Sequence, residues 1–143
     1  MHSGLRWMVC TLLMAPNPGC GTAGPSRHVA DGDFMLALYD GSPVPFQVSP
    51  LPNPDASQSN CWFVLSDGNL ALNAAAGTFS YTLTFRHSCT NAVLSSGTVT
   101  GTFLQSGETL TLTTSTGSGF DGEVRRDTVT LRGDHDYGFT KRK

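Results

Sequence analysis

Residues 77–89, GTFSYTLTFRHSC, limit the fold more than any other stretch. Taken alternately, they place Phe79, Tyr81, Leu83, Phe85, His87 and Cys89 on one face and Thr78, Ser80, Thr82, Thr84, Arg86 and Ser88 on the other. Successive side chains of a strand point to opposite sides, so this alternation predicts a β-strand with one buried and one wet face. Aromatic and β-branched residues crowd it, and such side chains suit a pleated, half-buried surface. A single strand cannot bury its apolar face, so the rest of the chain has to supply neighbours.

Those neighbours are legible downstream. Residues 97–104, 109–114, 119–124, 128–132 and 137–141 alternate apolar with Thr or other polar residues, separated by Ser106-Gly107-Glu108, Thr116-Gly117-Ser118, Arg125-Arg126-Asp127 and Gly133-Asp134-His135. Upstream, Phe34–Tyr39 is apolar on both faces and ends at the turn dipeptide Asp40-Gly41. Pro43 and Pro45 make 42–48 an edge or irregular strand, because each removes a ladder donor. Residues 61–65 and 70–73 read as two strands joined by a tight turn, Ser66-Asp67-Gly68-Asn69, and Ala74–Gly77 as a bend into the 77–89 strand. All eight prolines lie before residue 55, so nothing interrupts backbone pairing beyond it. Turns about every 8 to 12 residues with no helical stretch predict an all-β, antiparallel up-and-down meander. It has roughly eight to ten strands on this count. A sheet this large covers its apolar face by closing into a barrel or by folding into a β-sandwich. Short sequential turns favour the barrel, since a Greek-key sandwich needs a long crossing connection. Gly97 and Gly101, on the face of Val99 and Phe103, give a strand room to coil.

The charge balance removes one class of function. Only 14% of the residues are charged and the formal net charge is -2, so no basic excess is available for a nucleic-acid backbone. Residues 1–20 read as an export leader: His2 and Arg6 precede the apolar run Trp7–Ala15, which is too short to span a bilayer, and Pro16-Asn17-Pro18-Gly19-Cys20 breaks it. Cys20 after Gly19 resembles the lipid-modified cysteine of bacterial lipoproteins, although Asn17 and Pro18 stand where that motif has an apolar and a small residue. Residues 21–32 form a Gly- and Ser-containing tether, and 33–143 the barrel domain. This predicts a protein exported to a bacterial cell envelope, either lipid-anchored or secreted. Its contact with membrane would be through the anchor only.

From Asp33 to Arg142 the chain resembles small bacterial exported proteins grouped as lipocalin-like. The resemblance rests on Leu38-Tyr39-Asp40-Gly41-Ser42-Pro43-Val44-Pro45, the Asp67-Gly68-Asn69 motif, GTFSYTLTF at 77–85, GTVTGTF at 97–103, and the closing Tyr137-Gly138-Phe139-Thr140-Lys141-Arg142. Lipocalins open with Gly-x-Trp, the Trp packed beneath an Arg near the end of the barrel. Here Gly32-Asp33-Phe34 offers Phe, with Arg132 or Arg142 as its expected partner.

Among residues that can carry chemistry, Cys61 and Cys89 are read first as a disulfide, as expected of an exported pair, with free thiols or a redox or metal role as alternatives. The histidines at 2, 28, 87 and 135 have no helical or knuckle spacing, so no metal site is expected. No GxSxG elbow, phosphate loop or dinucleotide fingerprint occurs, so the chain reads as noncatalytic and without cofactor. What remains is the inward face. An eight-stranded barrel is either filled by side chains or holds one small ligand. For an apolar ligand the candidate contacts are Tyr39, Trp62, Phe79, Tyr81, Phe85 and Phe103. A barrel filled by side chains would instead serve a structural role, and the alternative function is a protein-interaction module, an envelope scaffold or protease inhibitor, acting through the proline-rich loop at 49–60 and the barrel rim. A monomer is expected in either case. Mass spectrometry of the exported chain tests the leader: the lipoprotein reading expects acylated Cys20 at the new N-terminus, and a chain starting beyond it without acyl mass would reject that reading in favour of a secreted domain.

Overall fold

The computed structural model describes residues 29–51 and 60–143; the leader, Cys20, most of the tether and the centre of the proline-rich loop lie outside them. Among the described residues ten strands form one sheet: β1 (Gly32–Tyr39), β2 (Ser42–Pro43), β3 (Phe46–Pro50), β4 (Trp62–Asn73), β5 (Thr78–His87), β6 (Val93–Ser106), β7 (Thr109–Thr114), β8 (Gly119–Arg125), β9 (Thr128–Arg132) and β10 (Asp136–Lys141). From β4 to β10 each strand pairs antiparallel with the next, and β10 pairs with β1. β1 also pairs with β4, from Gly32 opposite Leu72 to Met35 opposite Asn69. That contact closes eight strands into an up-and-down barrel of lipocalin-like architecture, with β2 and β3 added at its upper end, where β5 finishes.

Two expectations are corrected. Ser66-Asp67-Gly68-Asn69 is no turn: β4 runs unbroken from Trp62 to Asn73, and the four residues hold a bulge between Leu65 and Asp67. A hairpin needs the chain to reverse, whereas here all of β4 is held by β5, from Phe63 opposite His87 to Asn73 opposite Thr78. Beside the bulge the backbone is closely approached: a Cβ on Gly68 would lie 3.0 Å from a Leu83 methyl and 3.1 Å from Leu36 Cβ. The cation over Phe34 is likewise neither Arg132 nor Arg142. Lys141 Nζ sits 5.9 Å from the Phe34 ring centroid, because the β1–β10 register sets Phe34 opposite Lys141.

The lower interior is filled. Phe34, Leu70, Leu110, Leu112, Val129, Leu131 and Phe139 are each less than 2% exposed, as is Leu65 higher on β4, opposite Phe46 and Phe85, and burial of such a side chain stabilises by about 1.5–3 kcal/mol. Fully buried Ala30, just ahead of β1, joins this core, its N–H donating to Gln105 Oε1 at 2.8 Å. The outward residues of β5 are Thr, Ser and Arg, and Thr82 meets Thr98 of β6 hydroxyl to hydroxyl at 2.8 Å.

Strand coiling demands close approach at two glycines. A Cβ on Gly122 would stand 2.6 Å from the Thr130 carbonyl oxygen and 2.9 Å from a Leu131 methyl, and one on Gly101 would collide with the Thr113 carbonyl and the Phe79 ring. Gly97, named beside Gly101 for the same role, has open space around it. Gly101→Ala and Gly122→Ala are therefore expected to destabilise by about 1–3 kcal/mol or more through overpacking, and Gly97→Ala by under ~1 kcal/mol. Denaturant midpoints of the three variants check this contrast.

Candidate functional site

Above the filled interior the alternation of β5 continues, but its neighbours do not. Tyr81, Leu83, Phe85 and Val99 point inward like the core residues below them, yet are only half-buried. The reason lies in strand lengths. β6 pairs with β5 from Val93 to Thr102, whereas β7 reaches only Gly101 to Ser106. Among the described residues, Val93–Val99 therefore pair on one side alone, and β3, β4, β5 and β6 stand above the barrel as a curved wall.

An aromatic layer spans the base of this wall. Phe46 contacts Tyr39 at a centroid distance of 5.4 Å, Tyr39 contacts Tyr137 edge-on at 5.6 Å, Tyr137 lies 6.4 Å from Tyr81, and Tyr81 meets Phe120 edge-on at 5.6 Å. These side chains come from β3, β1, β10, β5 and β8, so the layer crosses from one side of the barrel to the other. At such separations the rings lie within the range of aromatic contact. Beyond the layer the wall carries Phe63 stacked on Phe85 at 4.9 Å, and we call this inner face of the wall the cup.

Polar contacts fix one edge of the layer. Asp40, held at φ 46° after β1, accepts the Asp136 N–H at 2.8 Å on one carboxylate oxygen and meets His135 Nδ1 at 2.9 Å with the other. The His135 ring rests 5.0 Å from Tyr39. The Asp136 backbone bond, helped by His135, holds the Asp40 carboxyl below its usual range. Burial, then the neighbouring Tyr81, Tyr39, Asp40 and Asp134 charges, pushes the Tyr137 phenol up to about 12. Burial also raises Tyr81, and burial with the Asp40 charge raises Tyr39.

A second cluster sits at the top of the wall. Cys61 and Cys89 form a disulfide with Cα atoms 5.7 Å apart, joining the start of β4 to the turn after β5. In the chain-entropy picture, closing this loop stabilises by roughly 3–4 kcal/mol. His87 is buried beside it; its Nδ1 accepts the Cys89 N–H at 3.1 Å and the Thr90 N–H at 3.4 Å.

The six candidate ligand contacts fall in three places. Tyr39, Tyr81 and Phe85 face the layer and the cup. Phe79 and Phe103 are 3% and 6% exposed in the lower core, away from that surface. Trp62 precedes inward Phe63, so alternation puts its side chain on the outer face; its backbone N–H donates to Ser88 Oγ at 2.8 Å. Phe46, Phe120 and Phe63 complete the layer and wall without having been selected; the Phe120, Gly122, Val124 alternation of β8 is the signal that identifies Phe120 as inward. Comparison with known proteins finds no matching family model, no matching curated protein and no matching solved structure.

All three tyrosines of the chain belong to this layer. Their folded phenols hold protons above the ordinary value of 10.0, so stability is intact below pH 10 and is lost as pH rises toward 12. In a spectrophotometric titration, phenolate is expected to be scarce at pH 10 and to appear together with loss of near-ultraviolet dichroism. Half-ionisation near pH 10 in a folded chain would contradict the layer.

Proposed function

We propose that this chain is a noncatalytic exported cell-envelope β-barrel that binds a small apolar ligand in the cup above its aromatic layer. One observation carries the reading: Tyr81, Leu83, Phe85 and Val99 continue the apolar inner face past the point where the barrel is filled, and remain half-buried. Water on such a concave apolar surface is readily displaced by a ligand of matching character. The hydroxyl-rich outside supports placement in water with any membrane attachment made by the N-terminus, because a lipid-facing barrel needs an apolar outer band. The disulfide accords with export.

A protein-interaction role through the proline-rich loop and rim is the second reading. Its support is the one-sided pairing of Val93–Val99, with Val93 53% and Leu94 41% exposed, an edge to which a partner strand can add.

Titration with 1-anilinonaphthalene-8-sulfonate separates the two. The ligand reading expects saturable dye binding that weakens about tenfold or more in Phe85→Ser, given the ~1.5–3 kcal/mol of burying a Phe side chain, with the fold intact by circular dichroism. Absence of binding, or equal affinity in the folded variant, would leave the interaction reading in its place.

A further inference from the structure

We propose that Cys61, His87 and Cys89 form a site for a zinc-type divalent cation when the Cys61–Cys89 bond is reduced. The top of the wall would then be closed either by a disulfide or by a metal.

The donor atoms of the three residues already lie within 4.8 Å of one another. Two thiolates and an imidazole suit zinc, which takes sulfur at about 2.3 Å and nitrogen at about 2.0–2.1 Å. Tetrahedral geometry sets the two sulfurs about 3.8 Å apart. Cα atoms 5.7 Å apart allow that separation through side-chain rotation, without moving the strands.

The surrounding backbone does not depend on the sulfur bond. Phe63 pairs with His87 across β4 and β5, the Ser88 N–H donates to the Trp62 carbonyl at 3.0 Å, and the Asn91 N–H donates to the His87 carbonyl at 2.8 Å. These contacts keep the donors converging after reduction. His87 Nδ1 faces the Cys89 and Thr90 N–H groups at 3.1 and 3.4 Å, which places its lone pair at the turn carrying Cys89, and a cation would take it in exchange for those two contacts. Ser88 Oγ lies 3.8 Å from Cys89 Sγ, in position to serve the thiolate as an outer-shell partner of the kind common at metal sites. A groove of about 430 Å³ beside the cluster is lined by His87 along with Arg86, Ser88 and Asn91 among others, and Cys89 is exposed.

The chemistry balances. A dithiol reductant breaks the S–S bond by supplying two electrons and two protons, and leaves as its own disulfide. Uptake of the cation by the two thiols then releases two protons.

The test uses the full chain carrying Cys10→Ser and Cys20→Ser, so that Cys61 and Cys89 are its only thiols. It is reduced with a phosphine, desalted under argon and titrated with Zn²⁺ by calorimetry in two buffers. One Zn²⁺ per chain with release of two protons is expected, and Co²⁺ in its place should give a thiolate charge-transfer band. His87→Ala should bind at least about tenfold more weakly, and so should the reduced chain in denaturant. Equal affinity in His87→Ala, equal affinity in denaturant, or binding to the oxidised chain would overturn the site. Should reduction alone unfold the protein, recovery of its circular dichroism on adding Zn²⁺ supports the proposal and failure to recover rejects it.

Discussion

The structure depends on one short contact, the four-residue pairing of β1 with β4. Without Gly32–Met35 lying against Leu72–Asn69, the remaining strands are an open ribbon with an uncovered apolar face. With it, that face is enclosed, and Phe34 and Leu70, opposite each other in this pairing, are both completely buried. Closure also fixes the position of the opening. β4 extends toward its N-terminus beyond the closing contact, β5 and β6 follow it upward, and β7 to β9 stop lower. The cup is thus the surplus length of three strands over the height of the barrel they build.

That geometry explains why one strand carries both parts of the molecule. Along β5, Phe79 is sealed in the core, Tyr81 lies in the dividing layer, Phe85 lines the cup and His87 adjoins the disulfide. The side chains face one way throughout. What changes along the strand is the number of strands opposite it, and burial changes accordingly. The glycines follow the same division, since Gly101 is squeezed where β7 pairs with β6 and Gly97 is free where it does not.

Local pattern made much of this legible. Strict alternation marks β5, β7 and β9 to within a residue or two, and turn chemistry between them gives the meander. The pairing of Cys61 with Cys89 follows from their number and setting. The failures share one cause, which is dependence on a partner distant in sequence. Asp67-Gly68 has the composition of a hairpin turn, and only the continuous partner strand makes it a bulge. Lys141 faces Phe34 through β1–β10 register, which composition does not encode. Phe79 and Tyr81 are equivalent by alternation, and the difference between core and layer arises from what lies across the barrel. Convergence of His87 with the two cysteines is partly visible as the His-Ser-Cys spacing, but Cys61 reaches it only through the β4–β5 ladder.

The disulfide has a mechanical consequence as well. It bridges the upper ends of β4 and β5, whose lower ends are already joined by the 74–77 turn, so the hairpin is a covalent ring. Tension applied through the chain ends passes across the sulfur bridge and bypasses the ring. The 28-residue separation it spans, roughly 90 Å of extended chain, stays out of reach of the pull. Stretching can strip β6 to β10 away from one side and β1 from the other, yet the wall that carries Phe63 and Phe85 remains a looped, inextensible segment.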